Sequence, residues 1–503
     1  TWTLAGSPYL IDGDITVPAG ETLSIEPGVE VIFQSWYKLT INGKLDAVGT
    51  EADPILFTAT NKWLGIRFVD ANDSSQLSHV IVEHGQATGA SPQNKGGGIY
   101  VENSSPTISF STIRDNSAKS AGGGIYLTNS NAVLHNNSIV NNTAGTLGPS
   151  AAGGGVYLSS SNIELTGNTI SGNRVYISGS YSTPNGSGGG IYAGSSSPTL
   201  RDNIISDNTI DAHLNSNARG GGLYFAYGSP VLTGNTITGN AITNDSTGVY
   251  AVREGGGIYV YQSRPTIVNS ILWNDAPQEI FVKVSGPAVP LTVAYSDVQG
   301  GETAIVNPDA APLNWVEGNI DSDPLFVDPA NGDYQLQAGS PAIDAGTAYF
   351  EWDGVVLLDL SPGEYLGTAP DMGALEYGGV PGGNQPPVAV IATDKLSGSA
   401  PLPVQFNSVG SFDPDGTVVA FAWDFGDGNS SSEANPAHIY NSVGMYRATL
   451  TVSDNNGATH SDVVTVNVVD GTTIGAGNVS GLWSLAGSPY RIDGDITVPA
   501  GET

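Results

Sequence analysis

Carboxylates are the side chains in this 503-residue chain best suited to chemistry. Asp115, Asp202 and Asp207 recur in a patterned stretch. Two carboxyls held about 5–9 Å apart can hydrolyse a glycosidic bond. Elimination from a uronate would need a base beside groups that neutralise the substrate carboxylate. The cations do not fit that second scheme: Arg114, Lys119, Arg174, Arg201, Arg219, Arg253 and Arg264 fall at different positions, and no spacing gathers them with several Asp. His79 and His84 lie close together and His135 stands alone, as solvated surface residues do. Asp115 and Asp207 share a column with Asn141, Gly172, Gly239 and Trp273, which makes a conserved acid–base role there unattractive. No catalytic residue is assigned. The chain reads as a non-enzyme, with polysaccharide lyase or glycoside hydrolase as the alternative.

The elements that would position these residues repeat. GGG, an aliphatic residue and Tyr occur at 96–100, 122–126, 153–157, 188–192, 220–224 and 255–259. From the first Gly to a closing Asn is 20 residues in five blocks and 19 in the sixth, while the connection to the next GGG varies. A constant block with insertions at one corner describes a coil of a solenoid.

Strand alternation gives the facing. Three inward stripes follow: Ile99, Ile125, Val156, Ile191, Leu223 and Ile258; Ile108, Leu134, Leu165, Leu200, Leu232 and Ile267; Ile113, Ile139, Ile170, Ile205, Ile237 and Ile271. Three short strands per coil, stacked on their equivalents, make a parallel β-helix. Two polar columns accompany them. One is Asn116, Asn142, Asn173, Asn208, Asn240 and Asn274; the other is Ser111, Asn137, Asn168, Asn203, Asn235 and Asn269. Stacked amides can hydrogen-bond from coil to coil, so both columns read as structural. Tyr100, Tyr126, Tyr157, Tyr192, Tyr224 and Tyr259 are expected to face outward, stacked about 4.8 Å apart. Such a column can stabilise itself, pack against another protein or stack on sugar rings.

Residues 12–95 read as irregular coils, "LTVAYSDV" as a further rung, and 319–377 as a segment closing the last apolar coil. A Gly/Pro linker at 379–387 precedes five strand-like runs at sandwich spacing over 388–470. With 48 acidic and 16 basic residues the net charge is −32, which disfavours nucleic acid and anionic membranes and suits Ca²⁺. Cysteine is absent, so disulfides and thiolate metal sites are excluded. No run approaches the roughly 20 apolar residues that span a bilayer.

"GDITVPAGETLSIEPGVEVIF", the GGGIY coils and "DPLFVDPANGDYQLQAGSPAIDAG" resemble bacterial extracellular right-handed parallel β-helix proteins over 1–378. "GSFDPDGTVVAFAWDFGDG" and "NPAHIYNSVGMYRATLTVSDNNGA" are similar to the PKD (polycystic kidney disease) domain, an immunoglobulin-like sandwich. The resemblance implies an all-β chain, a bacterial secreted or cell-surface location and Trp423 in the second core. It also implies Asp413 and Asp415 as calcium candidates; no cofactor is required.

Trp2–Thr22 returns as Trp483–Thr503 with two changes, Thr3 to Ser484 and Leu10 to Arg491. The expected arrangement is a tandem array in which 471–482 is a linker and 483–503 begins the next β-helix. Trp2, Tyr9, Trp483 and Tyr490 would then mark the junction. The expected partners are copies of the chain itself and surface glycans, in a fibre, stalk or adhesin.

Overall fold

Aliphatic residues two apart cannot share a face of a strand with the residue between them, and stacking such strands gives three parallel sheets. In a computed structural model, one sheet runs from Ile15–Val17 through Ile99–Glu102 to Ile280–Lys283 in ten strands. A second runs from Thr22–Ile25 to Leu313–Trp315 and a third from Tyr9–Ile11 to Asp297–Val298, each in eleven. The structure describes all residues except 146–149, 178–183, 213–215, 244–251, 288, 379–386, 388, 412–417, 455–458, 470–471, 479–489 and 498–503, and backbone alone within 472–478 and 490–497. The chain divides into two compact units at Gly383/Asn384.

Like pairs with like along the coils: Ile99↔Ile125, Ile125↔Val156, Leu134↔Leu165, Ile139↔Ile170. All members of the first two stripes are fully buried. Burying each such side chain contributes about 1.5–3 kcal/mol, so the stripes dominate the stability of this unit. The region 12–95 is more regular than its sequence suggests, because its strands occupy the same three sheets and its side chains enter the same core.

Each GGG coil has four left-handed positions, the first Gly of its GGG and three corners. Asn103, Asn129, Ser160, Ser195, Tyr227 and Gln262 form the first; Phe110, Asn136, Gly167, Asp202, Gly234 and Asn269 the second; Asp115, Asn141, Gly172, Asp207, Gly239 and Asn274 the third. Positive φ costs least for Gly, Asn and Asp, which explains the mixture of types in the columns holding Asp115, Asp202 and Asp207.

The sixth coil departs from the expected columns by one residue. Ile237 pairs with Leu272, so Leu272 continues the third stripe, and Ile271 turns outward into a separate cluster. Asn235 donates to Ser270, and Asn240 to Asp275. Asn269 and Asn274 are corner residues instead, and Asn274 rather than Trp273 aligns with Asp115 and Asp207. The sixth block therefore has the same length as the others and closes on Asp275.

The variable connections carry strands of their own. Gln86–Ala87 through Ala241–Thr243 form a six-stranded sheet, and Ser150–Ala152, Asn185–Ser187, Asn217–Arg219 and Val252–Glu254 a four-stranded one. Ala144, Val175, Ile177, Ile210 and Ala218 form a small second core there.

The segment 319–377 does not simply cap the end. It clads the outside of the third sheet: Ile271 packs with Phe326, Tyr334, Leu336 and Met372, the Ala374 N–H donates to Thr236 Oγ1 at 3.0 Å, and Tyr334 donates to Asp207 at 3.0 Å. At the end of the core stand Ile305 and Ala311, with Leu313 and Trp315 half-buried against them.

The second unit has a three-stranded sheet of Ala392–Thr393, Leu402–Asn407 and Ala437–Tyr440 and a five-stranded sheet centred on Gly444–Asp454. Trp423, Phe406, Phe425 and Tyr440 fill its core. The expected linker 471–482 contains a strand, Thr472–Asn478, paired in parallel with Tyr490–Thr497. In the first copy of the repeated segment the same residue types form two separate strands, Tyr9–Ile11 and Ile15–Val17, laid on the next coil.

Candidate functional site

The six tyrosines stack in one column because parallel pairing puts each opposite the next, as in Tyr126↔Tyr157. Ring centroids from Tyr100 to Tyr259 are 5.2, 4.8, 4.7, 5.0 and 5.0 Å apart, and Phe281 extends the column at 5.6 Å. The column lies outside the apolar core, yet it is not an open aromatic surface. Tyr100, Tyr126 and Tyr259 retain 3, 5 and 2 % of their exposure, and Tyr157, Tyr192 and Tyr224 are half-buried. Val69 and Ala121 pack against its first members.

Cations flank the column. The Arg67 guanidinium lies 4.9 Å from the Tyr100 centroid, Lys95 Nζ 4.7 Å from that of Tyr126, and Arg219 5.6 Å from that of Tyr259. Each contact is worth about 0.5–2 kcal/mol, according to its exposure. Burial raises the hydroxyls of Tyr100, Tyr157, Tyr192, Tyr224 and Tyr259 above the ordinary phenol range. Lys95 and Arg219 share one block position, immediately before a GGG, and Arg67 stands opposite Tyr100 in the tyrosine column.

A second candidate is the seam between the coils and the cladding segment. Arg201, Asp202, Glu364, Asp371 and Glu376 line a cavity of about 50 Å³. Burial lifts Glu376 to about 7 and also raises Asp202 and Asp371, with Arg201 at 3.2 Å opposing the rise at Asp202. The carboxylates are already occupied. Glu376 accepts the N–H groups of Asp371 and Leu366, at 2.9 and 3.0 Å. Asp371 accepts those of Asp344 and Tyr377, at 2.7 and 2.5 Å. The cavity has room for a water or two, against the roughly 300 Å³ at which small-molecule sites begin. A polar groove of about 300 Å³ does lie at the corner of the first coils, lined by Glu21, Asn42, Lys44, Asp70 and Asn72.

Several other charged residues form pairs. Arg114 binds Glu83 at 2.7 Å, Arg219 binds Glu254 at 2.9 Å, and Arg174 binds Asp211. His79 stacks on Phe110 at 5.2 Å and His135 meets the same ring edge-on at 5.5 Å. Burial lowers both imidazoles. His84 lies beside Glu83 at 3.5 Å. Asp115 and Asp207 sit at the third corner and Asp202 at the second, so the coils separate them as turn residues. Asp413, Asp415 and Trp483 lie outside the described residues, and only the backbone of Tyr490 is described. Among the described residues, no group of three or more His, Asp or Glu is placed to hold a metal ion.

Residues 64–272 match the family described as the right handed beta helix region, and 384–468 match the PKD domain. The chain joins a right-handed β-helix region to a PKD domain. Collagenase ColQ1 of Bacillus cereus is 46 % identical over 69 residues, 14 % of this chain and 7 % of that protein. Collagenase ColA of Clostridium perfringens is 41 % identical over 87 residues, 17 % and 8 % of the two chains. The PKD1 domain of the Vibrio cholerae metalloprotease PrtV is similar at 38 % identity, covering 17 % of this chain and 98 % of that one with a TM-score of 0.15. This chain thus spans less than a tenth of the two collagenases, and the likeness lies in the PKD domain. Among the described residues, no helix is long and apolar enough to cross a membrane.

Proposed function

We propose that the chain is a structural repeat unit of an extracellular or cell-surface fibre, stalk or adhesin, in which β-helices alternate with PKD spacers. The observation that carries this reading is the repeated segment: 19 of 21 residues are identical between 2–22, at the start of the β-helix, and 483–503, after the PKD domain. Eleven rungs at about 4.8 Å make the β-helix a rod near 50 Å long, stiffened by continuous stripes and ladders. The PKD relatives in bacterial collagenases and the acidic, cysteine-free composition favour an extracellular setting. Partners are further copies of the chain, with surface glycans as candidate ligands and Ca²⁺ as a candidate ion at Asp413 and Asp415.

Arg491 supplies a direct test. Trypsin cleaves after Arg491, whereas the first copy has Leu10 at that position. In an array, the native protein yields a peptide that begins at Ile492, reads IDGDITVPAGET and continues LSIEPG. A different continuation, together with a monomer that cleaves polysaccharide, would hand the case to the enzyme reading.

A further inference from the structure

The amide ladder at the third corner ends on an acid. Each Asn Nδ2 points back one coil and donates to the carbonyl of a third-stripe residue: Asn142 to Ile113, Asn173 to Ile139, Asn208 to Ile170 and Asn240 to Ile205, at 2.7–2.8 Å. The same nitrogen donates to the Oδ1 of the next ladder residue, 3.0 Å from Asn142 to Asn173. Asp275 takes the sixth place. Its Oδ1 accepts Asn240 N and Nδ2 at 2.6 and 3.0 Å.

Its Oδ2 stands where the other coils carry the amide nitrogen. A methyl group on Gly257 would meet Oδ2 of Asp275 at 2.5 Å, as one on Gly190 or Gly222 would meet Nδ2 of Asn208 or Asn240 at 3.0 and 3.1 Å. By the same pattern the carbonyl one coil back is that of Ile237. An ionised carboxylate would turn a lone pair toward that carbonyl, where every preceding coil provides a donor.

The Glu279 carboxyl lies within hydrogen-bond reach of the Asp275 carboxyl. Asp275 and Glu279 keep 8 and 6 % of their exposure, and Asp275 Oδ2 and Glu279 Oε2 accept no hydrogen bond. The Asp275 N–H donates to Glu279 Oε1 at 2.9 Å. The titratable groups facing Asp275 are Glu279 on its own turn and Tyr334 of the cladding segment, whose hydroxyl is taken by Asp207. None is a cation.

We propose that Asp275 is the neutral acid in the folded protein, that its O–H replaces the sixth amide N–H of the ladder, and that the joint with the rungs beyond it is therefore pH-sensitive. Burial and the neighbouring Glu279 both push the Asp275 carboxyl upward, and burial raises Glu279 as well. In the unfolded chain Asp275 ionises near the ordinary Asp value of about 3.9. The folded state thus binds the extra proton above that pH. Stability contributed here falls as pH rises from about 4 and stops falling once the folded acid itself ionises.

Asp275→Asn supplies the donor at every pH. Thermal unfolding of the full chain should show the variant melting above the parent at pH 8, with the margin closing as the pH approaches 4. In a Glu279→Gln background the margin should level off at a lower pH, because the like charge that raises Asp275 is gone. A variant that melts with or below its parent at pH 8, or a margin independent of pH, would overturn the proposal. An unshifted margin in the Glu279→Gln background would overturn the role of the pair.

Discussion

Trp2 stacks on Tyr9 at 5.1 Å with 18° between the rings, closing the open end of the first coil. The Tyr9 hydroxyl ties the arrangement down, accepting the Thr3 N–H at 2.8 Å and donating to the Thr3 carbonyl at 3.2 Å. Trp2 also bridges Ile25, so this first stretch sits as a partial rung on the strand Thr22–Ile25. The neighbouring Leu10 points to solvent with 63 % of its surface exposed, so a charged residue at this place in the first coil would disturb no core packing. Trp2→Ala should cost about 1–3 kcal/mol, less than a fully buried Trp, because the ring is half-covered. Hydrogen exchange should then speed up over 22–47 while the GGG coils keep their protection. Unchanged exchange at 22–47 would exclude this capping role.

Leu165 is fully buried between Leu134 and Leu200 in the second stripe. Leu165→Asp places an unpaired charge there and should cost several kcal/mol. Calorimetry should show the β-helix transition lowered or lost. A transition within a degree of the parent would mean that this stripe is not continuous.

The tyrosine column predicts an alkaline limit. The phenols of Tyr100, Tyr157, Tyr192, Tyr224 and Tyr259 have folded pKa values above the unfolded value of about 10, so the folded protein holds protons that the unfolded chain releases. Stability is therefore intact below pH 10 and falls as pH rises above it. Ultraviolet titration should show a late class of tyrosines that ionises only with unfolding. Tyr192→Ala removes two stacked neighbours at 4.7 and 5.0 Å and should cost about 1–3 kcal/mol. If its melting matches the parent, the column contributes no stability and serves only as surface.

Calcium at Asp413 and Asp415 would appear as linkage. The PKD transition of the full chain should melt higher in Ca²⁺ than in chelator, and Asp413→Asn with Asp415→Asn should remove the difference. Equal melting in both conditions excludes the site.

Much of this architecture was legible in the sequence, because facing along a strand is local. Ile99 and Val101 share a side whatever the rest of the chain does, and a constant block length after each GGG forces like residues into register. Trp423 in the core of the second unit was legible only through the resemblance to the PKD domain. Coverage was not local. Tyr100 and Tyr126 face away from the core as their period requires, yet Val69, Ala121, Arg67 and Lys95 cover them from other coils. The sixth coil misled by one residue because Asp275 stands where an Asn was sought, and Asn274 beside it fits a left-handed corner equally well. The cladding of Ile271 by Phe326 and Tyr334 depends on contacts more than fifty residues apart. The two copies of one segment show the same division: Tyr9–Ile11 and Ile15–Val17 lie on the next coil, whereas Tyr490–Thr497 runs as one strand beside Thr472–Asn478. Local preference makes both extended, and the backbone hydrogen bonds available nearby decide where each strand bends and what it pairs with.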